Sequence, residues 1–509
     1  MIQKYTKMNA FKLKLLLFSV SLCTIGAIQS QTYLGLQQSN YGGIHQANLN
    51  PANIANSRHR VYVNAFTIGF GFNNDYLSLN MPFSVQQLVT NKVPAQYHKN
   101  GNSNSPIDFQ DDWLKESVNG KSKNLNLYSQ FRTPGIMFTL PKGFAFGLQY
   151  KNTISFQIND MAEPLARLSK YGVDSSKGNT LYSGPNQYKV GERFEDNAFT
   201  VNFNAYGELG GTLAKTIIKN DHLIVKAGFT GKYLMGYASG YIKNKGVQFR
   251  LPNKDTIIFN QTDVEYGYTD PAIFENLKVV NADYFKEKLK GAGFGYDIGA
   301  TVEWSPEGTK KLTNDKNNYL LRAGLSLLDA GGIYYKNNIR TTHITNSSDK
   351  YFDVTGAFGN AWGSTKDGMR FTDSVMRTIF QIDSAYKTVK TTMPTTINLQ
   401  FDYNLFKNLF IGANISQDMR GKKSIGIRKP SYLVVIPRFE SKLFEVSMPM
   451  GLMNDYKTGR VGIFLRIGPV FFGSDNLIGQ LKSNNFYGAD FYFGISSGIT
   501  SKSKGKKKS

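Results

Sequence analysis

A single cysteine, Cys23, among 509 residues leaves no room for a disulfide framework or a thiolate metal site. That cysteine lies inside an N-terminal stretch, 1–30, with a basic start (Lys4, Lys7, Lys12 and Lys14) and an apolar run over 15–28. The apolar run is too short for a helical membrane anchor and passes directly into polar residues, which is the pattern of a cleaved secretory signal. Leu22 is too large for the small residue that usually precedes a lipidated cysteine, so the segment reads as a signal peptide of 1–30. No second apolar run is long enough to cross a membrane as a helix.

Histidine is also scarce. His45, His59, His98, His222 and His343 are scattered without paired ligand spacing. There is no Gly-x-Ser-x-Gly elbow, phosphate-binding loop or calcium-binding helix-loop-helix. The neighbouring acids Asp111 and Asp112, and the Asn314-Asp315 pair, read as solvated loop residues. The expectation is therefore no enzyme, no metal and no cofactor.

Acidic residues are outnumbered, 37 Asp and Glu against 60 Lys and Arg, giving a formal charge of +23 that becomes +19 without the four signal lysines. Five further lysines fall in the tail 501–509. A basic helix or an aromatic RNA-binding signature is lacking, which argues against nucleic acid. For an exported protein, outer-membrane lipid headgroups and lipopolysaccharide are the expected partners of this charge. No Pro/Ser-rich linker divides the chain, so one domain is expected.

What the chain has in quantity is phenylalanine (36), tyrosine (29) and glycine (49). These residues alternate. Along 293–304, Phe294, Tyr296, Ile298, Ala300, Val302 and Trp304 occupy one parity, and Gly293, Gly295, Asp297, Gly299, Thr301 and Glu303 the other. That is strand periodicity with bulk on one face. It recurs over 61–72, with Tyr62, Asn64, Phe66, Ile68 and Phe70 on the bulky parity, and at 144–151, 199–205, 223–230, 319–327, 397–403, 409–415, 461–467 and 491–495. Lys151, Lys226, Asp297, Glu303, Arg322, Asp402, Arg466 and Asp490 all take the face opposite the bulky one. A basic residue facing lipid near the bilayer midplane costs about 2–4 kcal/mol, so a face kept free of charge reads as a lipid face. Ile298 belongs to it, and Gly299 to the lumen.

Tight connections at 141–143, 219–221 and 407–408 alternate with long ones at 73–124, 159–195, 242–290 and 331–393. Short periplasmic turns and long outer loops give this rhythm. About thirteen strands fit the template. Because single-chain bacterial barrels have even strand numbers, fourteen are expected, with the missing one placed after Gly331 and 76–81 as a spare candidate. Helical spacing over 274–289, 108–118 and 162–171 predicts short helices within the loops. The fold expected is all-β: a single antiparallel transmembrane outer-membrane barrel over 61–499, preceded by an N-terminal plug, 31–60, and followed by a basic tail, 500–509.

The plug is the stretch that ends in Asn50-Pro51-Ala52. Asn50 is suited to cap a short helix whose first position is Pro51, and the segment carries many amides and no acid. Inside a polar lumen, those amides need partners, for which Arg322, Asp402 and Arg466 are the candidates.

Asn50-Pro51-Ala52 ahead of the first strand resembles the fatty-acid-transporter-like (FadL/PorV-like) barrel superfamily, in which such a motif belongs to the luminal plug. The runs Met393-Pro394-Thr395-Thr396-Ile397-Asn398-Leu399, Gly468-Pro469-Val470-Phe471-Phe472-Gly473-Ser474-Asp475 and Gly488-Ala489-Asp490-Phe491-Tyr492-Phe493-Gly494 resemble, more narrowly, the domain of unknown function 5723 family. The resemblance implies a plugged, porin-like transport channel for hydrophobic or small amphipathic solutes in the outer membrane of a Gram-negative bacterium. The alternative is a non-transporting scaffold or surface-binding barrel attached to a secretion or motility assembly.

Overall fold

The computed structural model describes residues 33–500 apart from 85–86, 88–90, 111–112, 172–187, 189–190, 196, 254–255, 270–288, 308–311, 313–318, 354–372, 375, 422–423 and 478–486. The stretch 1–30 expected to be a signal peptide, residues 501–509 of the expected tail and nearly all of the helix expected over 274–289 lie outside the described residues.

Fourteen antiparallel strands close on themselves. In chain order they are β1 His59–Asn74, β2 Lys123–Thr139, β3 Phe144–Met161, β4 Phe199–Lys219, β5 Leu223–Arg250, β6 Gly291–Trp304 and β7 Leu321–Asn346. The second half comprises β8 Thr396–Phe406, β9 Leu409–Asp418, β10 Tyr432–Glu440, β11 Phe444–Ser447 with Met450–Met453, β12 Thr458–Val461 with Ile463–Ile467, β13 Val470–Ser474 and β14 Gly488–Thr500. Each strand pairs with the next. β1 closes the ring by pairing with β14 on one side, Phe70 opposite Phe491, and with β2 on the other, Phe70 opposite Ser129. Closure leaves no free sheet edge, the condition for a sheet to cross a bilayer.

Alternation sets the two faces. On β6, Phe294, Tyr296, Ile298, Val302 and Trp304 are exposed, while Asp297, Thr301 and Glu303 are buried inside. All eight charged residues assigned to the inner face by pattern are buried: Lys151, Lys226, Asp297, Glu303, Arg322, Asp402, Arg466 and Asp490. β1 departs from simple alternation. A register shift between Asn64 and Phe66 reverses its parity, so Tyr62 and Asn64 point inward while Val63 faces out, and only from Phe66 onward do the bulky residues face lipid. A bulge inserts one residue into a strand and so exchanges its faces, which period-2 reading misses.

β5 and β7 are the longest strands, at 28 and 26 residues. A tilted strand needs only about 9–11 residues to cross the hydrocarbon. Their halves nearest the short turns flank β6, and their far halves flank the strand Thr256–Tyr268, which carries the sheet beyond the band. The chain after Gly331 thus continues β7, and Ala385–Thr392 pairs with this extension before β8 begins. The stretch 76–81 contributes Leu77–Leu79 to a two-stranded sheet with Leu114–Glu116, outside the barrel. That pairing also replaces the helix expected over 108–118, since its Leu114–Glu116 backbone is committed to a ladder. A helix does form at Glu163–Tyr171.

Candidate functional site: the filled lumen

The first described residues fold inside the ring of strands. Leu34–Gln38 forms one helical turn and a half; short 3-10 turns follow at Gly43–Asn48 and Pro51–Ile54. Asn50 caps the last of these, its Oδ1 accepting the Ala52 N–H at 3.0 Å, with Pro51 at the first helical position.

Three glycines explain where this turn sits. A Cβ on Gly228 would lie 2.4 Å from the Ala52 nitrogen, and one on Gly299 2.2 Å from Asn50 Oδ1. One on Gly324 would lie 3.0 Å from Asn50 Nδ2. The inner faces of β5, β6 and β7 are therefore bare where Asn50-Pro51-Ala52 lies directly on the strands. From there Asn50 Nδ2 donates to the carbonyls of Ala300 at 3.0 Å and Leu325 at 3.1 Å. Ser326 Oγ donates to the Leu49 carbonyl at 2.7 Å, and Asn53 Nδ2 donates to Gln400 Oε1 on β8 at 3.0 Å.

One inward position nearer the short turns, the lumen is ionic. Asp402, fully buried, accepts from Arg322 Nη2 at 2.9 Å, from Arg438 Nη1 at 2.6 Å and from the Tyr319 hydroxyl at 2.5 Å. Arg322 also donates to Asn40 Oδ1 at 2.9 Å, so one guanidinium ties the wall to the segment. Glu440 takes Arg438 Nε at 2.6 Å and the Asn40 N–H at 3.0 Å. Beyond it, Glu445 pairs with Arg466 at 3.0 Å and accepts the Ser39 hydroxyl at 2.8 Å, while the Arg466 guanidinium lies 4.5 Å over the Tyr41 ring. An acid-free segment thus meets wall acids as a donor. Buried charges of this kind are stable only when paired and hydrogen-bonded on all sides.

Of the residues singled out from sequence, Arg322 touches the segment directly and Asp402 reaches it through Arg322 and Tyr319. Arg466 reaches it through Glu445 and by stacking on Tyr41. Pattern reading missed Arg438, Glu440 and Glu445. Their strands also turn apolar residues inward, because Tyr432, Val434, Ile436 and Met453 pack around Leu34 of the segment. A second apolar cluster joins Ile44, Ala47, Ile54 and Ala55 to Tyr62, Met137, Ala145 and Ala214 of the wall.

The other end of the lumen is occupied by the connection between β9 and β10. Arg428 exchanges two hydrogen bonds with Gln157 of β3, its N–H to Oε1 at 2.8 Å and its carbonyl from Nε2 at 2.5 Å. The Gly426 N–H donates to Asn202 of β4 at 2.8 Å. Side-chain ion pairs from Arg428 to Asp418 and Asp455, both 2.6 Å, hold the base of this loop.

The model of a family of unknown function, DUF5723, matches residues 51–475. The chain belongs to this family. The matched region opens at Pro51, within the turn seated on the glycines. No curated protein matches the sequence. Among solved structures, the chain is similar to the toluene transporter TbuX of Ralstonia pickettii, at 9% identity over 89% of this chain and 92% of that one, with a TM-score of 0.36. A mutant of the TodX monoaromatic hydrocarbon channel gives 6% identity, 90% and 94% coverage and a TM-score of 0.36. A FadL homologue of Pseudomonas aeruginosa gives 11%, 89% and 93%, and 0.27. Scores at this level carry no argument about solute; the hydrogen-bonded ring of strands is what establishes the barrel here.

Proposed function

We propose that this protein is an outer-membrane channel for hydrophobic or small amphipathic solutes, held shut by residues 33–58 acting as a plug. The long loops face outward and both ends of the barrel domain face the periplasm. The observation that carries this reading is the fit of an amide-rich, acid-free segment to a lumen whose glycines and acids are placed to receive it. Attachment to the wall through hydrogen bonds and apolar packing, with the chain's own entry into β1 as its covalent link, suits an element that is displaced during passage. An apolar patch within the far lumen, including Tyr206, Leu234, Ile333 and Tyr335, supports apolar solutes. The positive balance of the chain supports contact with anionic lipid and lipopolysaccharide.

The close fit also favours a second reading, a permanently filled scaffold for partner proteins. Liposome conductance and solute uptake separate the two. The full protein is compared with a variant lacking 33–48 but keeping Asn50-Pro51-Ala52. A plug predicts a larger conductance in the deletion. A folded barrel with unchanged conductance and no uptake in either form supports the scaffold.

A further inference from the structure

We infer that the loop between β9 and β10 is a built-in stand-in for the solute, its Ile425 and Ile427 filling an apolar binding pocket in the far lumen. This inference rests on the channel reading above and names the site where the solute is held. Ile427 is buried in one apolar cluster with Tyr206, Leu234, Tyr241, Ile333, Tyr335 and Ile339 of β4, β5 and β7, and Ile425 packs against that cluster. Those wall residues belong to the inner, otherwise polar side of the barrel, where Asn202 and Asn204 of β4 and Ser239 of β5 are buried along the same strands. An apolar patch on a polar wall requires a cover, and the cover is two isoleucines from a loop.

The manner of seating is that of a ligand. The loop backbone lies flush on the end of the strand Ala385–Thr392: the Thr392 N–H donates to the Ile425 carbonyl at 3.2 Å and its hydroxyl to the same carbonyl at 3.0 Å. Gly426 has φ +121°, and a Cβ there would lie 2.4 Å from the Thr392 carbonyl oxygen, so no larger residue lets the two isoleucines reach inward together. Polar bonds to Gln157 and Asn202 fix the loop on its other side. Lifting of the loop would leave a pocket walled by tyrosine and branched aliphatic side chains. Such a pocket selects an uncharged apolar solute with the bulk of one or two isoleucine side chains.

The test uses the full protein in lipid nanodiscs and N-phenyl-1-naphthylamine, an uncharged fluorescent probe. In I425A/I427A the pocket is open, and saturable binding near one probe per barrel is expected, at least ten-fold tighter than to the unaltered protein. Adding Ile333→Trp refills the space and is expected to return binding to the unaltered level. Equal binding by the unaltered protein and the double variant, with the barrel shown folded by heat-modifiable gel migration, overturns the inference. So does tight binding that survives Ile333→Trp. Probe binding without uptake in the liposome assay leaves the pocket standing and removes the channel; uptake without probe binding does the reverse.

Discussion

Gly228 and Gly299 face each other across β5 and β6, and the Asn50-Pro51-Ala52 turn occupies the space where both side chains would stand. Two strands thus give up bulk on their inner face for the sake of a third element.

Gly299→Val is expected to dislodge the turn while leaving the barrel closed. Overpacking of this kind costs about 1–3 kcal/mol. A cysteine placed at Asn48 reports the change by faster maleimide labelling in the Gly299→Val background; an unchanged rate means the turn accommodates the added methyls. For the same reason Gly299→Asp is not a harmless lumenal change, although the residue faces inward as its parity implies.

On the opposite face, Ile298→Arg is expected to impair membrane assembly by about 2–4 kcal/mol, and Ile298→Leu to be tolerated. Folding yield into lipid vesicles measures the difference. Equal yields mean that this face does not meet hydrocarbon.

Asp402 holds two guanidinium groups and a phenol. Asp402→Asn removes the buried counter-charge that Arg322 and Arg438 share, with an expected cost of about 3–5 kcal/mol. Combining it with Arg438→Met should recover part of that loss, as the midpoint of heat-induced barrel unfolding will show. Strictly additive losses mean the pair is not coupled.

Glu163, at the start of the loop helix, receives the Asn119 N–H at 2.7 Å, the Gly120 N–H at 3.0 Å and the Lys123 ammonium at 2.9 Å on one oxygen. Burial by itself raises this carboxyl, but the two amides and the ammonium outweigh it and hold it below the ordinary glutamate range. With the folded value depressed, the stabilisation is present above the unfolded pKa and is lost as pH falls through the lower folded one. Proteolytic cutting at 117–122 should rise on acidification across that window, and Glu163→Gln should cut readily at every pH.

Orientation is testable on whole cells. A cysteine at Tyr386, exposed on the extended side, should react with an impermeant maleimide, and one at Lys142 on a short turn should not. The opposite result inverts the barrel.

The two-faced strands were legible because charge is costly in lipid, so inward charges such as Asp297 and Glu303 on an otherwise alternating strand betrayed its parity. Asn50 as a cap and Pro51 as a first helical residue were readable from local chemistry alone. Other features depend on tertiary contact and leave no local trace. The β1 bulge exchanges faces without a sequence marker. Arg438 and Glu440 were hidden because their strand turns Val434 and Ile436 inward against Leu34, which erases the alternation. Ile425 and Ile427 stand among Arg420, Lys422, Lys423, Arg428 and Lys429, and nothing in that basic run marks them as buried until the wall opposite is known.

Ser39 bonds to Glu445 and Asn50 to Leu325, partners separated by 406 and 275 positions, and the last strand closes on the first. The segment leads straight into β1, so it keeps a route through the open end of the ring whether or not the strands have closed. Its contacts reach from β5 to the end of the chain, so the seat as a whole exists only once the later strands are in place. The earliest part of the segment's sequence is therefore held by the latest part of the wall, and its docking reports that the ring is complete.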